Sequence, residues 1–346
     1  MKYKKPHKLN IGDKVAVIAP SSGLSKVFPH VYKNGIETLK NLGLKVVEYP
    51  TTKKSFDFIY SNPKFRADDI NNAFKDKSIK AIFTVIGGDD SNRLLSFLDT
   101  KTIIKNPKIF IGFSDTTTLN TYFNQLGLVT FNGPSIMAGF SQVNSLEPRY
   151  LKHIKEMLFE NNSTYNYFEY NKYANGYLSW KEKENVGKTK KQIKNNGWKF
   201  LQGTGKFTGY LYGGCIEVLE FTKSTKYYPK SDFFKNKILF FETSEDKPSI
   251  DQIKYMLRNY GLQGIYNNIS GIIFGRARDY SSEEKIELDK MILKIVKDEF
   301  KNNKIPIVTS FDFGHTDPQL ILPLGIKAEI DCSKKSIRLI EKIYCD

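Results

Sequence analysis

Ser114 stands where a strand-like apolar run, Lys108-Ile-Phe-Ile-Gly112, turns into a segment with helical spacing that begins near Thr116. A serine on such a strand-to-helix turn has its hydroxyl lifted above the sheet edge. The helix start supplies backbone N–H groups and a positive partial charge for a developing oxyanion, with the N–H of Asp115 as the natural donor. The turn departs from G-x-S-x-G at its last position, Thr116, and serine is also a common helix N-cap, so both readings of Ser114 stay open. The loop Ile86-Gly87-Gly88-Asp89-Asp90-Ser91-Asn92-Arg93 also follows a strand. Two glycines there permit close backbone approach, and Gly88 is a second candidate oxyanion donor; the plain alternative is a turn in which Asp90 caps a helix.

A serine hydroxyl needs a base, and the chain has four histidines. His7 lies in the basic N-terminal segment, His30 in a polar turn and His153 on a charged helical stretch. His315 follows a buried-looking strand in Thr309-Ser-Phe-Asp-Phe-Gly-His315, with Gly314 beside it. It is a candidate base, although a lone histidine in that place is often a structural residue. A carboxylate at a strand end would orient it. Glu242 closes the apolar run Lys237-Ile-Leu-Phe-Phe-Glu242 and is preferred over Glu217, which follows the glycine turn Gly213-Gly214. Arg276, in Phe274-Gly275-Arg276 at another strand end, is a candidate anion-binding cation or a structural ion pair.

These residues need a frame, and the apolar periodicity supplies one. From Lys14 to about Pro134, short β-rich runs (15–19, 45–49, 81–86, 108–112) alternate with amphipathic segments at 34–42, 65–75, 91–98 and 116–126, the pattern of βαβ units around a parallel sheet. Between about Glu160 and Lys199 the periodicity fails, and the stretch is expected to be a connecting loop or lid. Beyond it, strand-like runs at 205–212, 237–241, 271–274, 305–309, 327–331 and 336–340 alternate with helices at 250–260 and 283–300. The expected organisation is therefore α/β throughout: residues 1–160, a linker or lid over 161–200, and a second α/β domain over 201–346.

Composition narrows the classes. The 346 residues are 40% apolar, enough for two cores, and no uncharged run approaches the ~20 residues of a membrane span. No signal peptide is read at the N-terminus. Three cysteines, Cys215, Cys332 and Cys345, show neither a disulfide framework nor a C-x-x-C metal spacing, which fits a reducing cytoplasm and a site with no metal. The net charge of +16 is spread over helix faces and turns, densest from Lys188 to Lys194, with no motif that reads nucleic acid.

Taken together, Gly12-Asp13-Lys14-Val15, Ala19-Pro20-Ser21-Ser22, Gly87-Gly88-Asp89-Asp90-Ser91-Asn92, Gly112-Phe113-Ser114-Asp115, Asn132-Gly133-Pro134, Gly213-Gly214-Cys215, Leu239 to Glu245 and Phe313-Gly314-His315 resemble the LD-carboxypeptidase family of serine peptidases, in its microcin-immunity branch. The resemblance implies a Rossmann-like N-terminal domain, a C-terminal α/β domain and an active site between them. It implies Ser114 as nucleophile, His315 as base, Glu242 as its orienting partner, and Gly88 and Asp115 as oxyanion donors, without a cofactor. Homodimers are usual in the family. The implied substrate is a peptidyl-aspartyl nucleotide, or alternatively a murein tetrapeptide that loses its terminal D-alanine. Trp180 is the candidate for stacking on a nucleobase, with a packing anchor as its other reading, and Ser244 and Arg276 are further candidates for substrate contact.

Overall fold

The computed structural model describes residues 2–345. Five strands, β1 (Lys14–Ile18), β2 (Lys45–Glu48), β3 (Ile79–Thr84), β4 (Ile109–Gly112) and β5 (Thr130–Asn132), run parallel in the order β5-β4-β3-β1-β2. Alternation of side chains sorts each central strand between two cores. Val15 and Val17 pack in one cluster with Ile36 and Leu39, and Ala16 and Ile18 in the other with Ile70 and Phe74. Phe83 and Ile82, and Ile111 and Phe110, divide in the same way. Because both faces are covered, these strands read as continuous apolar runs. The helices Pro29–Asn41 and Pro63–Lys75 each begin on a proline, whose missing N–H costs nothing in a first turn. The segment expected as a helix over 91–98 is a 3-10 run, Ser91–Phe97.

Residues 161–200 are not a structureless loop. They hold β6 (Tyr165–Asn166) and a separate hairpin of β7 (Lys172–Ala174) and β8 (Gln192–Lys194). Strands this short carry no readable period, and their order comes from contacts with distant residues. Tyr170, Asn195 and Trp198 all hydrogen-bond the buried carboxylate of Asp312, from the backbone N–H, the side-chain amide and the indole N–H respectively.

The second sheet is built on β9 (Lys199–Gln202), β10 (Lys206–Cys215), β11 (Lys237–Glu242), β12 (Gly271–Gly275) and β13 (Ile307–Phe311), of which β10 to β13 are parallel neighbours. The next strand, β14 (Leu322–Leu324), leaves this sheet and pairs antiparallel with β5 of the first, Leu322 opposite Asn132 and Leu324 opposite Thr130. The chain then returns as β15 (Lys327–Asp331) and β16 (Ser336–Leu339) on the far side of β10, with β6 at the edge. The connection from β13 to β14 therefore travels from one sheet to the other, and His315 lies on it. The two sheets also touch at the helix after Ser114. A Cβ on Gly214 would fall 2.4 Å from Thr117 Oγ1, so only glycine lets β10 approach, and the Cys215 N–H donates to that hydroxyl at 3.0 Å.

Candidate active site

The turn at Ser114 is strained. Phe113 is extended, and Ser114 has φ 60°, the left-handed region that costs a non-glycine residue on the order of 1–2 kcal/mol. The chain then enters a short 3-10 turn and the helix Thr117–Gln125. Neither element has a side-chain cap, so Ser114 is not an N-cap. Its neighbours are cut to fit: a Cβ on Gly87 would lie 2.6 Å from Ser114 Oγ, and one on Gly112 would lie 2.2 Å from Thr84 Oγ1. Among the described residues, the backbone N–H groups of Gly88 and Asp115 have no acceptor.

Two buried acids fix this corner. Asp115 turns inward and accepts the Ser91 N–H at 3.0 Å, while Ser91 Oγ donates to the Asp115 carbonyl at 2.8 Å. Burial pushes the Asp115 carboxyl up to about 6. Asp90 does not cap the following run. It receives both terminal guanidinium nitrogens, Nη1 and Nη2, of the fully buried Arg66, at 2.7 and 3.0 Å, and Arg93 Nη1 at 2.7 Å. Arg66 donates also to the carbonyls of Pro20 and Ser21, so one side chain ties the loops after β1 and β3 together. Sequence reasoning missed Arg66, and its signal was an arginine on the apolar face shared with Ile70 and Phe74.

Across the cleft, Glu242 ends β11 fully buried, and its Oε2 lies 2.6 Å from His315 Nδ1. A carboxylate can only accept, so Nδ1 carries the proton. Gly314 makes the approach possible, because a Cβ there would meet Glu242 Cβ at 2.9 Å and Oε2 at 3.0 Å. The Phe113 ring packs edge-on against the imidazole, with centroids 4.9 Å apart. Burial opposes charge on His315, but Glu242, Glu245 and Glu217 outweigh it and hold the imidazole above its usual range. Among the described residues His315 Nε2 has no aligned hydrogen bond; Glu245 Oε2 lies 3.2 Å from it. Glu217, the competing carboxylate, instead accepts from Ser244 N–H at 2.9 Å and Ser244 Oγ at 2.7 Å, holding the turn that bears Glu245.

The other histidines have separate duties. His153, expected on a charged stretch, is buried; its Nε2 accepts the Ile321 N–H at 2.8 Å and Nδ1 pairs with Tyr165 Oη at 2.7 Å, and burial lowers its pKa to about 3. His30 Nε2 lies 2.7 Å from the Trp180 carbonyl, and His7 lies beside Cys345.

Ser114, Gly88 and His315 line one cavity of about 320 Å³, together with Tyr177, Trp180, Glu245 and Arg278. Trp180 packs against Phe28 and Tyr177, each with centroids 5.9 Å away, and so serves as an anchor and as a cavity wall at once. Two candidates for substrate contact are placed elsewhere. Ser244 does not line the cavity, since its hydroxyl is engaged by Glu217. Arg276 does not either: it is buried in an ion pair with Asp312 at 2.9 Å, donates to the Pro318 carbonyl and lies under the Tyr173 ring. It thereby braces the connection that carries His315. The cation that does line the cavity is Arg278, two residues further on, which the strand-end argument passed over.

With this geometry in view, two family descriptions match the chain, the LD-carboxypeptidase N-terminal domain over residues 15–133 and the LD-carboxypeptidase C-terminal domain over residues 208–330. The chain belongs to the LD-carboxypeptidase family and is a serine-type carboxypeptidase. It is 31% identical to the microcin C7 self-immunity protein MccF of Escherichia coli, over 96% of this chain and 95% of that protein. It is 27% identical to the probable murein peptide carboxypeptidase of Bacillus subtilis, over 96% and 93% of the two chains. Its fold matches the structure of MccF in complex with aspartyl sulfamoyl adenosine with a TM-score of 0.85 at 30% identity, covering 99% of each chain. The MccF-like protein of Streptococcus pneumoniae in complex with AMP gives 0.84 at 30% identity, covering 95% of this chain and 98% of that one. No helix among the described residues is long and apolar enough to cross a membrane.

Proposed function

We propose that the chain hydrolyses an amide through an acyl-enzyme on Ser114, and that its substrate is a peptidyl-aspartyl nucleotide. The observation that carries the reading is the convergence, in one cavity, of a strained serine, a histidine bonded to a buried glutamate, and an aromatic wall at Trp180 and Tyr177. Ser114 Oγ attacks the scissile carbonyl and its proton passes to His315 Nε2. Glu242 holds the Nδ1–H tautomer and stabilises the imidazolium. The N–H groups of Gly88 and Asp115, without an acceptor among the described residues, receive the oxyanion. His315 then protonates the leaving amine, and water, deprotonated by the same imidazole, hydrolyses the ester. Trp180 stacks on the nucleobase. Residues 161–200 act as the lid between the parts of the chain up to residue 160 and from 201 onward.

A second reading, release of D-alanine from a murein tetrapeptide, is favoured by the similarity to the Bacillus subtilis protein. Incubation of wild type and Ser114→Ala with each substrate, followed by mass spectrometry, separates them. Cleavage of the nucleotide conjugate by wild type alone supports the first, D-alanine release alone supports the second, and undiminished activity of the variant refutes both. The same reading places the enzyme in the cytoplasm, in keeping with three unpaired cysteines, and as a homodimer, which light scattering of the purified protein tests.

A further inference from the structure

The atom that must take the Ser114 proton has a carboxylate beside it. Glu245 Oε2 lies 3.2 Å from His315 Nε2, and the same oxygen lies 3.9 Å from Arg278 Nη1. Glu245 sits on the turn after β11, which Glu217 holds through Ser244. Arg278 is pinned against the segment that carries Tyr177 and Trp180: a Cβ on Gly176 would lie 2.8 Å from its Nε, and its guanidinium lies 5.9 Å from the Tyr177 ring centre. Among the described residues it is the one lysine or arginine lining the cavity, and its other carboxylate partner is Asp279 at 3.2 Å.

We propose that Glu245 is the resting counter-ion of both His315 and Arg278, and that the anionic group of an entering substrate takes its place on Arg278 and so uncovers His315 Nε2. The proposal rests on the catalytic reading of Ser114 and His315 given above. An imidazole between Glu242 and Glu245 is favoured in its charged form, which cannot accept a proton. A substrate carboxylate or phosphate that pairs with Arg278 would leave Glu245 beside a like charge in a narrow cleft with Asp89 and Asp246 on its walls, and Glu245, half-exposed, can swing into solvent. Removing that one carboxylate shifts the imidazole toward the neutral form that a base requires. Glu245 is thus a positioning residue, and Arg278 reads the substrate's charge.

The groups facing His315 decide the test. Glu242 comes from the end of β11, Glu245 from the following turn, Glu217 from the helix after β10, and Asp317 from its own connection; the Phe113 ring closes the serine side. Only Glu245 borders the open cavity among these acids. A neutral alkyl fluorophosphonate, which carries no anion for Arg278, is therefore the probe. Its rate of reaction with Ser114 is followed by mass spectrometry from about pH 5 to pH 9 in wild type and Glu245→Gln. The variant is expected to label roughly 3–10-fold faster near pH 6, with its acid limb at lower pH, and to converge with wild type at alkaline pH. Equal rates with an unmoved limb, or slower labelling, would overturn the proposal. No labelling in either protein would overturn the catalytic reading itself. In Arg278→Gln, kcat/KM for an anionic substrate should fall about 10-fold or more, mainly through KM, while fluorophosphonate labelling is retained. An equal loss of both would overturn the assignment of Arg278.

Discussion

The two sides of the cleft are built on opposite plans. The serine side is local: β4, the turn and the following helix are contiguous in sequence, and the strain at Ser114 is held by glycines and buried acids of adjoining loops. The histidine side is assembled from afar. Glu242 and His315 are 73 residues apart, and the connection bearing His315 is braced by Arg276, Asp312 and three residues of the 161–200 segment. Strained backbone aims the Ser114 hydroxyl, whereas buried charge aims the His315 imidazole. Substitutions on the first side should therefore damage chemistry with little change in stability, and those on the second should damage both.

The largest effect is expected from Ser114→Ala, a loss of roughly 10⁴-fold or more in kcat/KM with an unchanged melting temperature. Glu242→Gln keeps the shape but loses the charge, and about 10²–10⁴-fold in kcat should go with it. Loss of stability without loss of rate would contradict the comparison. Arg276→Met leaves Asp312 buried without its cation, and a destabilisation of about 3–5 kcal/mol is expected by urea unfolding. Gly87→Ala places a methyl 2.6 Å from Ser114 Oγ, and should lower kcat at least about 10-fold while the fold persists. The pH profile should reflect the acids around His315. Because its folded-state pKa is raised and the base must be neutral, kcat/KM should fall with acid from a midpoint above the ordinary histidine range. The ion pairs of His315 stabilise the fold with the opposite sign: their contribution is full at low pH and is lost as pH rises through that same midpoint.

The central strands of both sheets were legible because burial on two faces leaves continuous apolar runs such as Val15 to Ile18 and Ile238 to Phe241, whereas the short β5, β14 and β9 were not read. The 3-10 run at Ser91–Phe97 and the short strands of 161–200 were not, since their order depends on Asp115, Asp312 and β16 rather than on their own period. For the site, the serine's turn could be read because its elements are neighbours. Glu242 could be preferred as the partner of His315 from its place at a strand end, but choosing the base over the structural reading of that histidine came from likeness to a family. Arg66 was marked only by standing on the apolar face of its helix, no local pattern marks Arg278, and an arginine at a strand end looks the same whether it faces Asp312, like Arg276, or the cavity.

The excursion of β14 into the first sheet has a mechanical consequence. A chain segment sewn into both sheets acts as a seam, so neither half can be peeled away without breaking hydrogen bonds of the other. Melting should therefore be a single cooperative event, and the cleft should open through its surface loops rather than by the two sheets parting like a hinge.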